Sequence, residues 1–385
     1  MNTSFSASHA PNPLAAITRV TVYVVVQSPP EYAWSPVMPE VLNTDTIVKV
    51  EDEDGFVGGG SVCTFTEFGA DLSVAHSLRP LIVGLLNSQS RSVDDHWRWM
   101  SQRRPGVSNP ALAVVDIALW DLLARRCGKP LYTLLGNARD QLPCYASVPV
   151  MDTPKQYIEL ISSLQSQGFG RFKFHYKSTA ESDIALIEAV TAAFAHSDCQ
   201  FMFDAEELYS EDAALAVAKV ASDAEFLWLE APFNDHDWAA YRRLQAQVDT
   251  PILPAGNSVV DQAHLAQAID AQCWSALRID AATAGGITPA LGIFNLAKKA
   301  GLNVELQSWG GSFSTAANLH LALGQNNSTF FEVPVPRHDF DLAGCSRFPL
   351  EPDGSVHAPT TPGIGLVLDW PTIEATAAER IVFGR

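Results

Sequence analysis

The chain has 385 residues and a mass of 41.7 kDa, enough for two or three folding units or for one barrel with an added domain. Hydrophobic residues make up 47% and charged residues 18%, which excludes a disordered chain and provides for a large core. Lys and Arg number 25 against 43 Asp and Glu, a formal net charge of −18. That balance excludes nucleic acid and anionic membranes as partners, because phosphate contacts need Lys and Arg. A small anionic substrate stays open, since a bound cation reverses the local field.

Residues 1–16 are polar, small and proline-bearing and read as a flexible tail. They lack a basic start followed by an apolar stretch, so no signal peptide is expected. From 17 to about 66 the signals are those of strands. TRVTVYVVV (18–26) and DTIVKVED (45–52) are rich in β-branched residues, and DEDG (52–55) before FVGGGSV marks a turn. QSPPEYAWSPVMPE (27–40) between them is a loop. Helical periodicity follows in HSLRPLIVGLL (76–86), VDDHWRWMSQR (93–103) and NPALAVVDIALWDLLARRCG (109–128). The last is predicted to start at an Asn109 cap, with Pro110 in its first turn, and to stop at Gly128.

Beyond about 142, short apolar strands alternate with amphipathic helices. The strands are 145–150, 171–175, 200–206, 226–232, 251–256, 276–281, 303–308 and 329–334. Eight such units predict a (β/α)8 barrel; an open doubly wound sheet usually carries fewer. There is no Walker A and no G-x-G-x-x-G after the first strand, so no nucleotide site is expected. Residues 335–385 return to Pro- and Gly-rich loops. Cys63, Cys127, Cys144, Cys199, Cys273 and Cys345 show no paired spacing, which argues against a zinc cluster or a disulfide framework and suits a reducing compartment. No apolar run approaches the roughly 18 residues of a membrane span, and the cytoplasm is the expected location.

Active sites of such barrels sit at the C-terminal ends of the strands. The second strand ends in Lys173-Phe174-His175 and the third in Asp204-Ala205-Glu206. The fourth to eighth end in Glu230, Asn257, Asp280, Gln307 and Glu332. Side chains two apart on a strand share a face, so Lys173 points with His175 and Asp204 with Glu206. Clustered carboxylates make an oxygen-rich site suited to Mg²⁺ rather than zinc. A Lys or His beside that cation is suited to take a proton from the carbon next to a carboxylate, with the cation stabilising the enediolate.

Four segments resemble the enolase superfamily, in its mandelate racemase/muconate lactonising branch. They are VKVEDEDGFVGGG (48–60), ALAVVDIALWDLLARRCGKPLYTLLGN (111–137), FKFH through LWLEAPF (172–233) and RIDAATAGGITPALGIFNLAKKAGL (278–302), in order over nearly the whole chain. The resemblance implies an α+β capping domain (17–141), a modified TIM barrel (142–334) and a C-terminal segment (335–385) that packs on the capping domain. It further implies a small-molecule carboxylate substrate and a symmetric homo-oligomer. Capping-domain loops would close the barrel mouth, bringing Tyr32 and Trp34 to the substrate.

Carried over residue by residue, the resemblance makes Asp204 and Glu230 the first two Mg²⁺ ligands and places the third on Asn257. Lys-x-Lys becomes Lys173-x-His175, the aspartate of an Asp–His dyad becomes Asp280, its histidine becomes Gln307, and an acid near the substrate carboxylate becomes Glu332. Gln307 cannot move a proton at neutral pH, so a racemase with a base on each face is not expected. Its amide is expected to hold a substrate oxygen. Asn257 ligates without charge, and Glu206 is expected to restore a third carboxylate to the cation, directly or through water. Lys173 is the leading candidate for the base, with His175 as its partner or as the base itself, and Arg278 is expected to pair with Asp280. The expected reaction is dehydration of an acid sugar; the alternatives are a cycloisomerase or epimerase, and a non-catalytic binding protein on the same fold.

Overall fold

The computed structural model describes residues 14–27, 33–37, 44–63, 68–88, 92–308, 312–337 and 342–384. Strands β1 (Ile17–Val26), β2 (Thr44–Asp52) and β3 (Val57–Cys63) form an antiparallel ladder in which Val22 faces Val48 and Val48 faces Gly60. The long helix Asn109–Arg126 crosses this sheet, with Ala111–Ala124 all buried. Glycines in β3 permit the approach: a Cβ on Gly58 would lie 2.4 Å from Ala118 O, and one on Gly60 2.5 Å from Val114 O. The cap of that helix is Ser108, whose side chain accepts from Ala111 N, rather than Asn109. Ser108 is the extended residue before the first turn; Asn109, one step inside, instead donates from its side chain to Thr283 O at 2.8 Å. The predicted 76–86 helix is two, Phe68–Ser77 and Arg79–Leu86, and Pro80 sits in the first turn of the second.

The barrel strands follow: β4 (Gln141–Ser147), β5 (Arg171–Phe174), β6 (Gln200–Asp204), β7 (Leu229–Glu230), β8 (Ile252–Leu253), β9 (Leu277–Ile279), β10 (Val304–Leu306) and β11 (Phe331–Pro334). Parallel ladders run β11-β4-β5-β6-β7-β8, and β9 pairs with β10. Backbone bonds from Ser275 N to Ile252 O (2.9 Å) and from Val304 N to Asn327 O (2.8 Å) bridge the two remaining seams. Each strand is short and apolar because both of its faces are buried, one by the helices and one by the barrel interior. Inside, Tyr145, Met202, Trp228 and Leu253 form an apolar plug beneath the strand ends.

The tail differs from the predicted loops. It carries β12 (Ser355–His357), the helix Trp370–Thr376 and β13 (Ala377–Gly384). β13 pairs antiparallel with β1 and becomes the edge of a four-stranded capping sheet, β13-β1-β2-β3. Its residues alternate between half-buried and exposed along AAERIVFG, the two-residue period of an edge strand. β12 pairs antiparallel with β4, so the tail also covers the barrel. All six cysteines are free, and among the described residues no helix is long and apolar enough to cross a membrane.

Candidate functional site

Lys173, the third residue of β5, is the hub of the barrel mouth. It is buried, and its Nζ lies 3.2 Å from Asp204 Oδ2, 3.0 Å from Glu230 Oε1 and 2.9 Å from Glu332 Oε1. Nζ donates hydrogen bonds to Asp204 and Glu230 and forms an ion pair with Glu332. Arg278 on β9 supplies the second cation, with Nε 2.5 Å from Glu230 Oε1 and Nη2 2.8 Å from Glu332 Oε2. Trp228 Nε1 donates to the other Glu230 oxygen at 3.0 Å, and Ser308 N to Glu332 Oε2 at 3.3 Å. Burial opposes the charge on Glu332, yet Lys173 and Arg278 overcome it and hold its carboxyl at about 2.

The predicted Arg278–Asp280 pair is replaced by these contacts. Arg278 lies within β9 and faces the barrel interior, whereas Asp280 is already past the strand and caps the next short helix through Ala282 N (3.0 Å). Asp280 also accepts from Asn318 Nδ2 at 2.8 Å, and burial pushes its carboxyl up to about 6. Asn318 Nδ2 reaches Gln307 O as well, at 2.7 Å, and so joins the two positions that resemble the Asp–His dyad. Nothing in the helix Ser312–Gly324 marks Asn318 for that duty from sequence.

His175 stands one residue beyond β5 and is buried. Its Nδ1 is 2.9 Å from Val148 O. A carbonyl oxygen only accepts, so Nδ1 carries a proton, and Nε2 is the nitrogen turned toward the acidic strand ends. That Nε2 lies 3.3 Å from Asp204 Oδ2 and 3.7 Å from Glu206 Oε1. Glu206 reaches this position by a left-handed turn rather than by strand alternation: Glu206 (φ 55°) and Glu207 (φ 62°) are both in the region that favours glycine.

Asn257 and Gln307 meet each other. Gln307 Nε2 donates to Asn257 Oδ1 (3.0 Å) and to Ala255 O (2.6 Å), so the amide nitrogen expected at a substrate oxygen is committed to the neighbouring loop. From the capping side, Trp34 is buried and its indole N–H reaches Ser147 O at 3.3 Å, while Val150 N donates to Ala33 O at 2.7 Å. Trp34 therefore pins the loop to β4. Ser35 beside it favours the ionised form of Glu206, an influence that sequence reasoning missed. Tyr32 lies outside the described residues.

The charge balance tests whether a cation fits. Asp204, Glu206, Glu230 and Glu332 are four carboxylates gathered around two cations, Lys173 and Arg278. Ionised together they leave an excess of two negative charges. Burial, and after it the Asp204 charge, pushes Glu206 up to about 8; burial likewise takes Glu230 up to about 8 against the pull of Arg278. His175, Asp204 and Glu206 each offer one ligand atom within 4.8 Å of the others. Without a cation Glu206 and Glu230 resist ionising; a hard divalent cation among the oxygen-rich donors would supply the charge that lets them ionise.

Fold and mouth together define a capped (β/α)8-barrel protein with acidic strand ends. Residues 17–136 match the mandelate racemase/muconate lactonizing enzyme N-terminal domain and residues 156–372 the enolase C-terminal domain-like family, and the chain belongs to the enolase superfamily in that branch. It is 34% identical to a protein from Pseudovibrio sp. described as a mandelate racemase/muconate lactonizing enzyme, with a TM-score of 0.90 over 96% of this chain and 99% of that one. D-glucarate dehydratase from Agrobacterium tumefaciens, solved in complex with magnesium, is 26% identical with a TM-score of 0.81 over 94% and 99% of the two chains. D-galactonate dehydratase of Ralstonia nicotianae is 26% identical over 386 residues, 94% of each protein.

Proposed function

We propose that this protein is a Mg²⁺-dependent lyase acting on a polyhydroxy monoacid or diacid. It removes the proton α to the carboxylate, expels the β-hydroxyl as water and yields a 2-keto-3-deoxy acid. The observation that carries this reading is the His175 ring, locked by Val148 O so that Nε2 faces the acidic mouth. Asp204 and Glu230 would hold the ion, with Asn257 as the neutral third ligand and Glu206 in direct or water-mediated support. Bound there, a divalent cation would supply positive charge beside the substrate carboxylate.

His175 takes the α-proton and returns it to the departing hydroxyl, so one base on one face is sufficient. Lys173 stays protonated, because losing a proton would strand one of three carboxylates at 2.9–3.2 Å. It orders the carboxylates and lends positive charge beneath the substrate. Gln307 offers no second base, which favours dehydration over racemisation. The apolar plug of Tyr145, Met202, Trp228 and Leu253 closes the barrel below and keeps water from the reacting centre.

Incubation with Mg²⁺ and a library of acid sugars in D₂O tests the proposal. Keto-acid formation, or deuterium at the α-carbon, is expected for at least one acid. Exchange with none, together with a melting temperature indifferent to Mg²⁺, would instead indicate a binding protein on an enzyme's fold.

A further inference from the structure

Asp235 lies five residues beyond Glu230, in the loop that leaves β7, and has no place in the chemistry above. Its side chain is fully buried. Its carboxylate accepts backbone N–H groups from four consecutive residues of the next strand-end loop: Ala255 (2.8 Å), Gly256 (3.1 Å), Asn257 (3.1 Å) and Ser258 (3.1 Å). Asp235 is itself held from the β6 side, where Glu207 Oε1 accepts its N–H at 3.3 Å and Glu207 Oε2 accepts Asn234 Nδ2 at 3.1 Å. The loop it grips is tight. Gly256 is left-handed (φ 76°), and a Cβ there would lie 2.2 Å from Arg278 O. On the opposite side Gln307 grips the same loop through Ala255 O and the Asn257 side chain.

We infer that Asp235 is a positioning residue for the metal site: it fixes Asn257 from behind while Gln307 fixes it from the front. The inference rests on the proposed function, and its physical reason lies in the neutrality of Asn257. A carboxylate ligand is drawn to a divalent cation by charge even when loosely held. An amide oxygen lacks that attraction, so its contribution depends on being held in place before the ion arrives. Four N–H groups aimed at one buried carboxylate supply that order. An Asn at 235 has a single acceptor oxygen, and its amide hydrogens would oppose the donors of the loop.

The test is a double-mutant cycle on the full chain, with Mg²⁺ affinity read by calorimetry at a temperature where circular dichroism shows each variant folded. Asp235→Asn is expected to weaken Mg²⁺ binding about tenfold. The same change in an Asn257→Ala background is expected to cost nothing further, because the ligand it positions is gone. Gln307→Ala provides a second arm should Asp235→Asn fail to fold, with the same loss and the same dependence on Asn257. A lowered melting temperature with unchanged Mg²⁺ affinity would overturn the inference, as would equal losses in the two backgrounds, and the functional reading would survive either result. A wild-type protein that binds no Mg²⁺ would overturn both.

Discussion

His175 Nε2 faces Asp204 Oδ2 at 3.3 Å while the other ring nitrogen is tied to Val148 O. One backbone carbonyl thus fixes the ring and aims Nε2 at the acidic strand ends. His175→Asn preserves a donor to Val148 O but has no proton-accepting nitrogen. It is expected to lower kcat by about 10²–10⁴-fold. Mg²⁺ affinity, read by calorimetry, should change far less than kcat; equal losses in both would make His175 a metal ligand instead of the base.

Lys173 is expected to matter more to folding than to proton transfer. Lys173→Met leaves Glu230 and Glu332 buried with Arg278 as their remaining cation, and should cost about 3–5 kcal/mol in urea unfolding. A variant as stable as the wild type would show that the three ion pairs contribute no net stability.

His320 gives the fold a pH dependence away from the mouth. It is buried, its Nδ1 accepts the N–H of Tyr132 at 2.9 Å, and burial lowers its pKa from 6.5 to about 4. The unfolded chain therefore binds a proton near pH 6.5 that the folded chain refuses until about pH 4. Stability from this group is complete above pH 6.5 and is lost as the pH falls through that window, by on the order of 3 kcal/mol. Urea melts at pH 7 and pH 4.5 should show a steeper acid loss in the wild type than in His320→Gln. Parallel losses would remove His320 as the source.

Gly60→Ala tests the packing of the capping domain. The added methyl meets Val114 O at 2.5 Å and Ala118 N at 2.8 Å, both in helix backbone that cannot yield cheaply. A loss of about 1–3 kcal/mol is expected, measured by thermal unfolding. No change in stability would mean that the helix Asn109–Arg126 can shift away from β3.

Much of this architecture is legible in the sequence because it repeats. Eight apolar runs, seven of them closing on a polar residue, announce parallel strands and a common mouth, and Lys173, Asp204, Glu230 and Glu332 meet there. What repetition does not carry is the choice among partners once the barrel closes. Arg278 has three acids within reach of its neighbourhood, and only the ring decides for Glu230 and Glu332 over Asp280. Asp235, Asn318 and Ser35 act through backbone or across elements, and no spacing records that. β13 alternates as strands do, yet its partner β1 lies at the other end of the chain.

The central claim is that Asp204, Glu230 and Asn257 gather about one divalent ion with His175 facing the substrate. A crystal structure of the His175→Asn variant with Mg²⁺ and a bound acid sugar measures this most directly. The account predicts one ion about 2.1 Å from oxygens of Asp204, Glu230 and Asn257, with the α-carbon above residue 175. An ion bound elsewhere, or carboxylates that keep all their bonds to Lys173 and Arg278 and admit no ion, would contradict it.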